Sequence, residues 1–164
     1  PVEIKLQPAR GKHKAQAGEI VIGFGSMAAG YVIYHLLCDS PLGKRQALFE
    51  EMLRTSEDLG GMLRGRLSFN EQRFAEGAAK LDELSRQPWQ HFPQVRESDG
   101  DSQARDEVWQ RQERFQQLAR ELEAATAELR GAAQVKPLKA RALEAPVAKV
   151  EAACKACHEE FRIY

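Results

Sequence analysis

Cys154-Lys155-Ala156-Cys157-His158, with six residues after it, constrains what this chain can be more than any other stretch. C-x-x-C-H is the attachment pattern of a c-type haem. Each thiol can add to one vinyl group of the porphyrin, and the adjacent imidazole then lies over the iron as an axial ligand. C-x-x-C alone is ambiguous between a redox dithiol and half of a zinc site. The His sharpens it, and the sequence holds no second C-x-x-C or close His pair to complete a zinc tetrad. One covalent haem c, held by Cys154 and Cys157 with His158 on the iron, is the expected cofactor.

The 164 residues allow one medium domain with an appendage. The 24 basic and 24 acidic side chains cancel, so nothing points to nucleic acid. Ala, Leu, Glu, Arg and Gln dominate, strand-type alternation is scarce, and an all-α domain follows. Haem c is attached on the outer side of an energy-transducing membrane, so the motif also implies export.

A device for that export stands near the N-terminus. Ile20 to Cys38 carries no charged side chain. As a helix it would span about 28 Å, close to a hydrocarbon core of roughly 30 Å. Arg10, Lys12 and Lys14 precede it and Asp39 follows. The excess of positive charge before it orients the start of the chain to the cytoplasm and everything after Cys38 to the periplasm. The expected organisation is a cytoplasmic arm over 1–19, a single-pass inner-membrane anchor over 20–38 and a haem domain over 43–164.

Other readings of the segment are a cleaved signal, a lipoprotein signal ending at Cys38, and a buried helix of the soluble domain. His35-Leu36-Leu37 is a poor cleavage site, and Leu37 is bulky for lipidation at Cys38. Gly25 with Ala29 and Ser26 with Gly30 form small-xxx-small pairs that would let another membrane helix approach. His35, near the outer end, reads as interfacial rather than as a ligand.

Four amphipathic stretches follow. The first is expected over Gly43–Arg64, with Phe49, Met52, Ser56, Leu59 and Leu63 on one stripe. Ser68-Phe69-Asn70 offers a cap for the second, Glu71–Arg86. Pro88 to Gly100 is a connecting loop. The third, Ser102–Ala133, places Val108, Phe115, Leu122 and Leu129 seven apart, with Leu118, Ala125 and Ala132 offset by three. The fourth leads from Leu138, or from Pro146 as a first-turn residue, into the haem motif. An antiparallel four-helix bundle is the natural architecture.

Several of these residues together resemble the cytochrome c′ family, including its cytochrome c-556 relatives, over residues 43 to 164. Glu159-Glu160-Phe161-Arg162 after the His resembles the family's ending. Pro88-Trp89 with Phe92-Pro93 is similar to the loop after its second helix. Glu107-Val108-Trp109 with Phe115 resembles the start of its third helix, and Arg45-Gln46 followed by Phe49 the opening of its first.

The resemblance implies that the third residue after the Arg-Gln pair, here Phe49, faces the haem opposite His158. A Met there ligates the iron and makes an electron carrier, whereas an apolar residue leaves the iron five-coordinate and open to small uncharged gases. Phe has no donor atom, which favours an open, dry distal side; Met52, one turn later, is the alternative ligand. Arg162, four residues past His158, is expected beside the proximal face, and Arg45 against a haem propionate. Trp109 and Phe115 are expected in packing, and His91 in solvent.

No nucleophile, acid–base pair or second metal motif accompanies the haem, so a non-enzymatic role is expected. The leading expectation is electron transfer, as a subunit or partner of a membrane-embedded redox complex, since tethering raises a partner's effective concentration. The alternative is binding of nitric oxide or carbon monoxide past Phe49. A third reading makes the chain an accessory subunit held through its anchor. The resemblance implies a homodimer through the first two helices as the other association.

Overall fold

The computed structural model describes residues 40–94 and 102–164. The expected cytoplasmic arm, the Ile20–Cys38 anchor with its small-residue pairs, and His35 lie outside the described residues. Among those described, no helix is long and apolar enough to cross a membrane.

Helix α1 (Pro41–Leu63) opens on a proline, whose missing N–H would be unpaired in a first turn anyway. It ends where Gly65 turns left-handed at φ 71°, letting the Arg66 N–H donate back to the Gly61 carbonyl at 2.9 Å. Asn70 then caps α2 (Glu71–Leu84), its side-chain oxygen accepting from the Arg73 N–H at 2.8 Å. Phe74, Ala78 and Leu81 recur at helical spacing on the buried face of α2. A 3-10 turn, Pro88–His91, follows and packs on α1. Beyond it come a single turn, α3 (Glu107–Gln110), and two long helices, α4 (Gln112–Ala132) and α5 (Ala140–Phe161).

The four long helices close a square: α1 packs on α2, α2 on α4, α4 on α5, and α5 on α1. The connections over 64–70 and 133–139 are too short for anything but antiparallel neighbours. The expected four-helix bundle is what forms, and no strand occurs among the described residues. Its core is mostly aliphatic, with Leu59, Leu81, Leu129, Leu143 and Val150 packed around Phe74. Each such side chain contributes roughly 1.5–3 kcal/mol by leaving water. One polar knot interrupts the core. Asp82, only 4% exposed, accepts from Arg86 at 2.7 Å, Arg130 at 3.2 Å and the Thr126 hydroxyl at 3.3 Å, joining α2 to α4.

Two expected boundaries are corrected. The single third helix over Ser102–Ala133 does not form: Arg111 leaves the helical region (φ −124°, ψ 50°), and residues 102–105 are not helical. For residues 102–105 the physical reason is competition for the backbone. Ala104 bridges antiparallel to Arg162, the Arg105 N–H donates to the Phe161 carbonyl at 2.9 Å, and the Ile163 N–H donates to the Gln103 carbonyl at 2.8 Å. Of the two expected starts for the last helix, Leu138 lies two residues before the observed one at Ala140, whereas Pro146 lies inside α5 and not in its first turn. The helix starts earlier because Leu143, fully buried, already packs into the core from the opening turn.

Candidate haem-binding site

A cleft of about 690 Å³ opens between α1 and α5, within the roughly 300–1,000 Å³ range of cofactor sites. One wall is α5. Cys154 and Cys157 are three residues apart, and His158 is four from Cys154, so all three project on one helical face into the cleft. Both thiols are free and half-buried. Burial pushes the Cys154 thiol up, and burial together with neighbouring Cys154 pushes Cys157 up to about 11. Burial first, and then the Arg162 charge, pull the His158 imidazole below its ordinary value. An imidazole so held is neutral, with a lone pair free for a metal.

The facing wall is α1, from which Arg45, Phe49, Met52 and Leu53 line the same space. Phe49 is gripped by aromatic edges, with Trp89 at 5.9 Å and Phe92 at 6.5 Å between ring centroids. Those rings continue through Phe115, 5.8 Å from Trp89 and 4.9 Å from Phe92, to Phe161 at 5.3 Å, so an aromatic chain links the two walls. Met52 is buried and packs into the aliphatic core while also touching the cleft.

All six residues expected at the haem (Cys154, Cys157, His158, Arg162, Arg45 and Phe49) thus line one cavity. Two of them are engaged in ways the sequence did not announce. Arg45 is 3% exposed, donates to the His91 carbonyl at 3.0 Å and the Ser102 hydroxyl at 3.1 Å, and stacks 4.7 Å from the Phe92 ring centroid. Arg162 donates to the Gln103 side chain. Trp109 lies off the cleft, packs on the second, aromatic cluster and donates its indole N–H to the Pro93 carbonyl at 2.9 Å. His91 does not line the cleft and contributes its carbonyl to Arg45.

Sequence reasoning missed Ser102 and Gln103 as cleft residues. Their only signal is the backbone pairing with the C-terminus, which is a tertiary contact. It also missed Arg111 and Arg114, which converge on Glu160 at 2.8 and 2.7 Å behind the thiol wall. That pairing holds the Glu160 carboxyl below its ordinary value, through the Arg114 hydrogen bond first.

The donor set suits a covalent porphyrin. Two thiols and one neutral imidazole face a slot that apolar and aromatic side chains share with Arg45 and Arg162, and no cluster of three metal-ligating side chains occurs among the described residues. The arrangement defines a helical-bundle c-type haem protein. The model of the family described as Cytochrome C' matches residues 40–162, and the chain belongs to that family. A cytochrome c' of Rhodopseudomonas palustris (strain ATCC BAA-98 / CGA009) is 25% identical over 146 residues, covering 89% of this chain and 92% of that protein.

Among solved structures, cytochrome c' from Rubrivivax gelatinosus superposes with a TM-score of 0.69 at 25% identity, covering 76% of this chain and 98% of that one. A nitric oxide complex of a mutant cytochrome c prime from Alcaligenes xylosoxidans shares the fold, with a TM-score of 0.67 at 24% identity over 77% of this chain and 98% of that one. The match over 40–162 bears out the resemblance drawn over 43–164. Membership implies a covalently bound haem c.

Proposed function

We propose that this chain holds one haem c through Cys154 and Cys157, ligates its iron with His158, and leaves the face toward Phe49 open to a small uncharged gas. Phe49 carries the reading. It lines the cleft on the wall facing His158, has no donor atom, and is held edge-on by Trp89 and Phe92. Its ring keeps water and anions off that side without taking the place of a ligand. Arg45, held by the His91 carbonyl and Ser102, presents positive charge at the edge of the slot where a propionate would lie.

When bound, the haem supplies a redox-active iron with a free position for nitric oxide or carbon monoxide. The role is binding, with no organic substrate turned over. The deciding experiment is the absorption spectrum of the holoprotein. A high-spin ferric spectrum that shifts on adding nitric oxide supports the reading. A low-spin spectrum with a methionine-to-iron band would assign the sixth position to Met52 and overturn it.

The second reading is electron transfer beside or within a membrane-embedded redox complex, and the uncharged run Ile20–Cys38 favours it. In that reading the run anchors the chain in the inner membrane, with the haem domain in the periplasm. Extraction by detergent but not by alkaline carbonate supports the anchor; release by carbonate sinks it. A single-chain detergent complex would count against the accessory-subunit and homodimer readings.

A further inference from the structure

The Arg162 guanidinium is fixed by a neutral residue. Backbone pairing with Phe161 and Ile163 sets the segment that carries Gln103, and the Arg105 side chain adds a bond to the Arg162 carbonyl at 2.9 Å. From that segment the Gln103 Oε1 accepts from Arg162 Nε at 3.0 Å and from a terminal nitrogen at 2.8 Å. Two donors on one oxygen fix the plane of the guanidinium. The Tyr164 ring stands 5.7 Å from its central carbon. Gln103, His158, Arg162 and Tyr164 all line the haem cleft.

A carboxylate at 103 would grip the guanidinium more strongly and cancel its charge. The amide holds the charge and leaves it uncancelled. Arg162 caps α5 one turn beyond His158, its backbone N–H donating to the His158 carbonyl at 3.1 Å.

We propose that Gln103 is a positioning residue: it fixes the Arg162 charge beside His158, which raises the reduction potential of the iron bound there. A stationary positive charge disfavours the more positive ferric state, and the effect weakens with ionic strength. The inference rests on His158 being the axial ligand.

The test is potentiometric titration of the full-length holoprotein at low and high salt, with Gln103→Leu, Gln103→Glu and Arg162→Gln. Both Gln103→Leu and Arg162→Gln should lower the midpoint potential, most at low salt. The double variant Gln103→Leu/Arg162→Gln should go no lower than Arg162→Gln alone. Gln103→Glu retains the hydrogen bonds, cancels the charge and should also lower the potential. It decides the matter if Gln103→Leu does not fold.

An unchanged potential in Gln103→Glu overturns the proposal, as does a Gln103→Leu shift that persists in full without Arg162. In either case a spectrum still showing histidine-ligated iron confines the failure to Gln103. A wild-type spectrum without histidine ligation instead removes the reading of His158.

Discussion

The two walls of the cleft are built by different means. On α5, Cys154, Cys157 and His158 come to one face because helical geometry places residues three and four apart together. Nothing distant is needed. On α1, Arg45 and Phe49 reach their places through partners far along the chain: the His91 carbonyl, Ser102, Trp89 and Phe92. The first wall is local and all-or-none. The second is assembled by tertiary packing, so its failure should be graded.

The largest effect is expected on the local wall. Replacing both thiols, Cys154→Ala with Cys157→Ala, should abolish haem that survives denaturing electrophoresis, as read by peroxidase staining of the gel. Cys154 and Cys157 are only partly buried at the edge of the two core clusters, so apoprotein helicity by circular dichroism should change little. Covalent haem retained in that variant would break the comparison at its root, because some other side chain would then hold the cofactor.

The next effect belongs to the assembled wall. Arg45→Leu removes a buried guanidinium and its bonds to the half-buried His91 carbonyl and Ser102 hydroxyl, though Ser102 still accepts from the Ala104 N–H. A typical hydrogen bond contributes about 0.5–1.5 kcal/mol, and more when its donor is charged. A stability loss of about 1–2 kcal/mol should appear in denaturant unfolding of the holoprotein, with the haem still covalently attached. A loss below about 0.5 kcal/mol would place Arg45 with surface arginines.

The same contrast explains what was legible beforehand. The bundle was, because Val108, Phe115, Leu122 and Leu129 repeat at seven and are all buried. The thiol wall was, because its geometry is written in adjacent residues. The break at Arg111 was not: no Gly or Pro stands between Ser102 and Arg130 to mark it. Only the pairing of Ala104 with Arg162 diverts the backbone of residues 102–105, across a separation that local propensity does not register. For the same reason Ser102 and Gln103 gave no sign that each holds an arginine of the cleft.

Asp82 supplies a smaller effect away from both walls. Burial alone would raise its carboxyl, but hydrogen bonds from Arg130, Arg86 and Thr126 hold it below its ordinary value of 3.8. Its folded pKa is depressed, so its contribution is present above that ordinary value and is lost as pH falls through the folded one. Asp82→Asn should cost about 1–2 kcal/mol at neutral pH, with a difference from wild type that shrinks toward acid. Thermal melts between pH 3 and 7, a range chosen to bracket about one unit below the ordinary carboxylate value upward, check this. Parallel melting curves at every pH would mean the carboxylate is not favoured by the fold.

The smallest change in stability carries the most information about the two walls. Phe49 is only half-buried, so Phe49→Met, close to it in volume, should cost under about 1.5 kcal/mol. Chemically the exchange is large, because it puts a thioether on the wall facing His158. If the walls oppose each other across one haem, the variant should turn low-spin, develop a methionine-to-iron band and respond much less to nitric oxide. Phe49→Leu, with no donor, should stay high-spin and keep the response. Were Phe49→Met to remain high-spin and gas-responsive, Phe49 would not stand over the iron, and another α1 residue, Met52 first, would have to take its place.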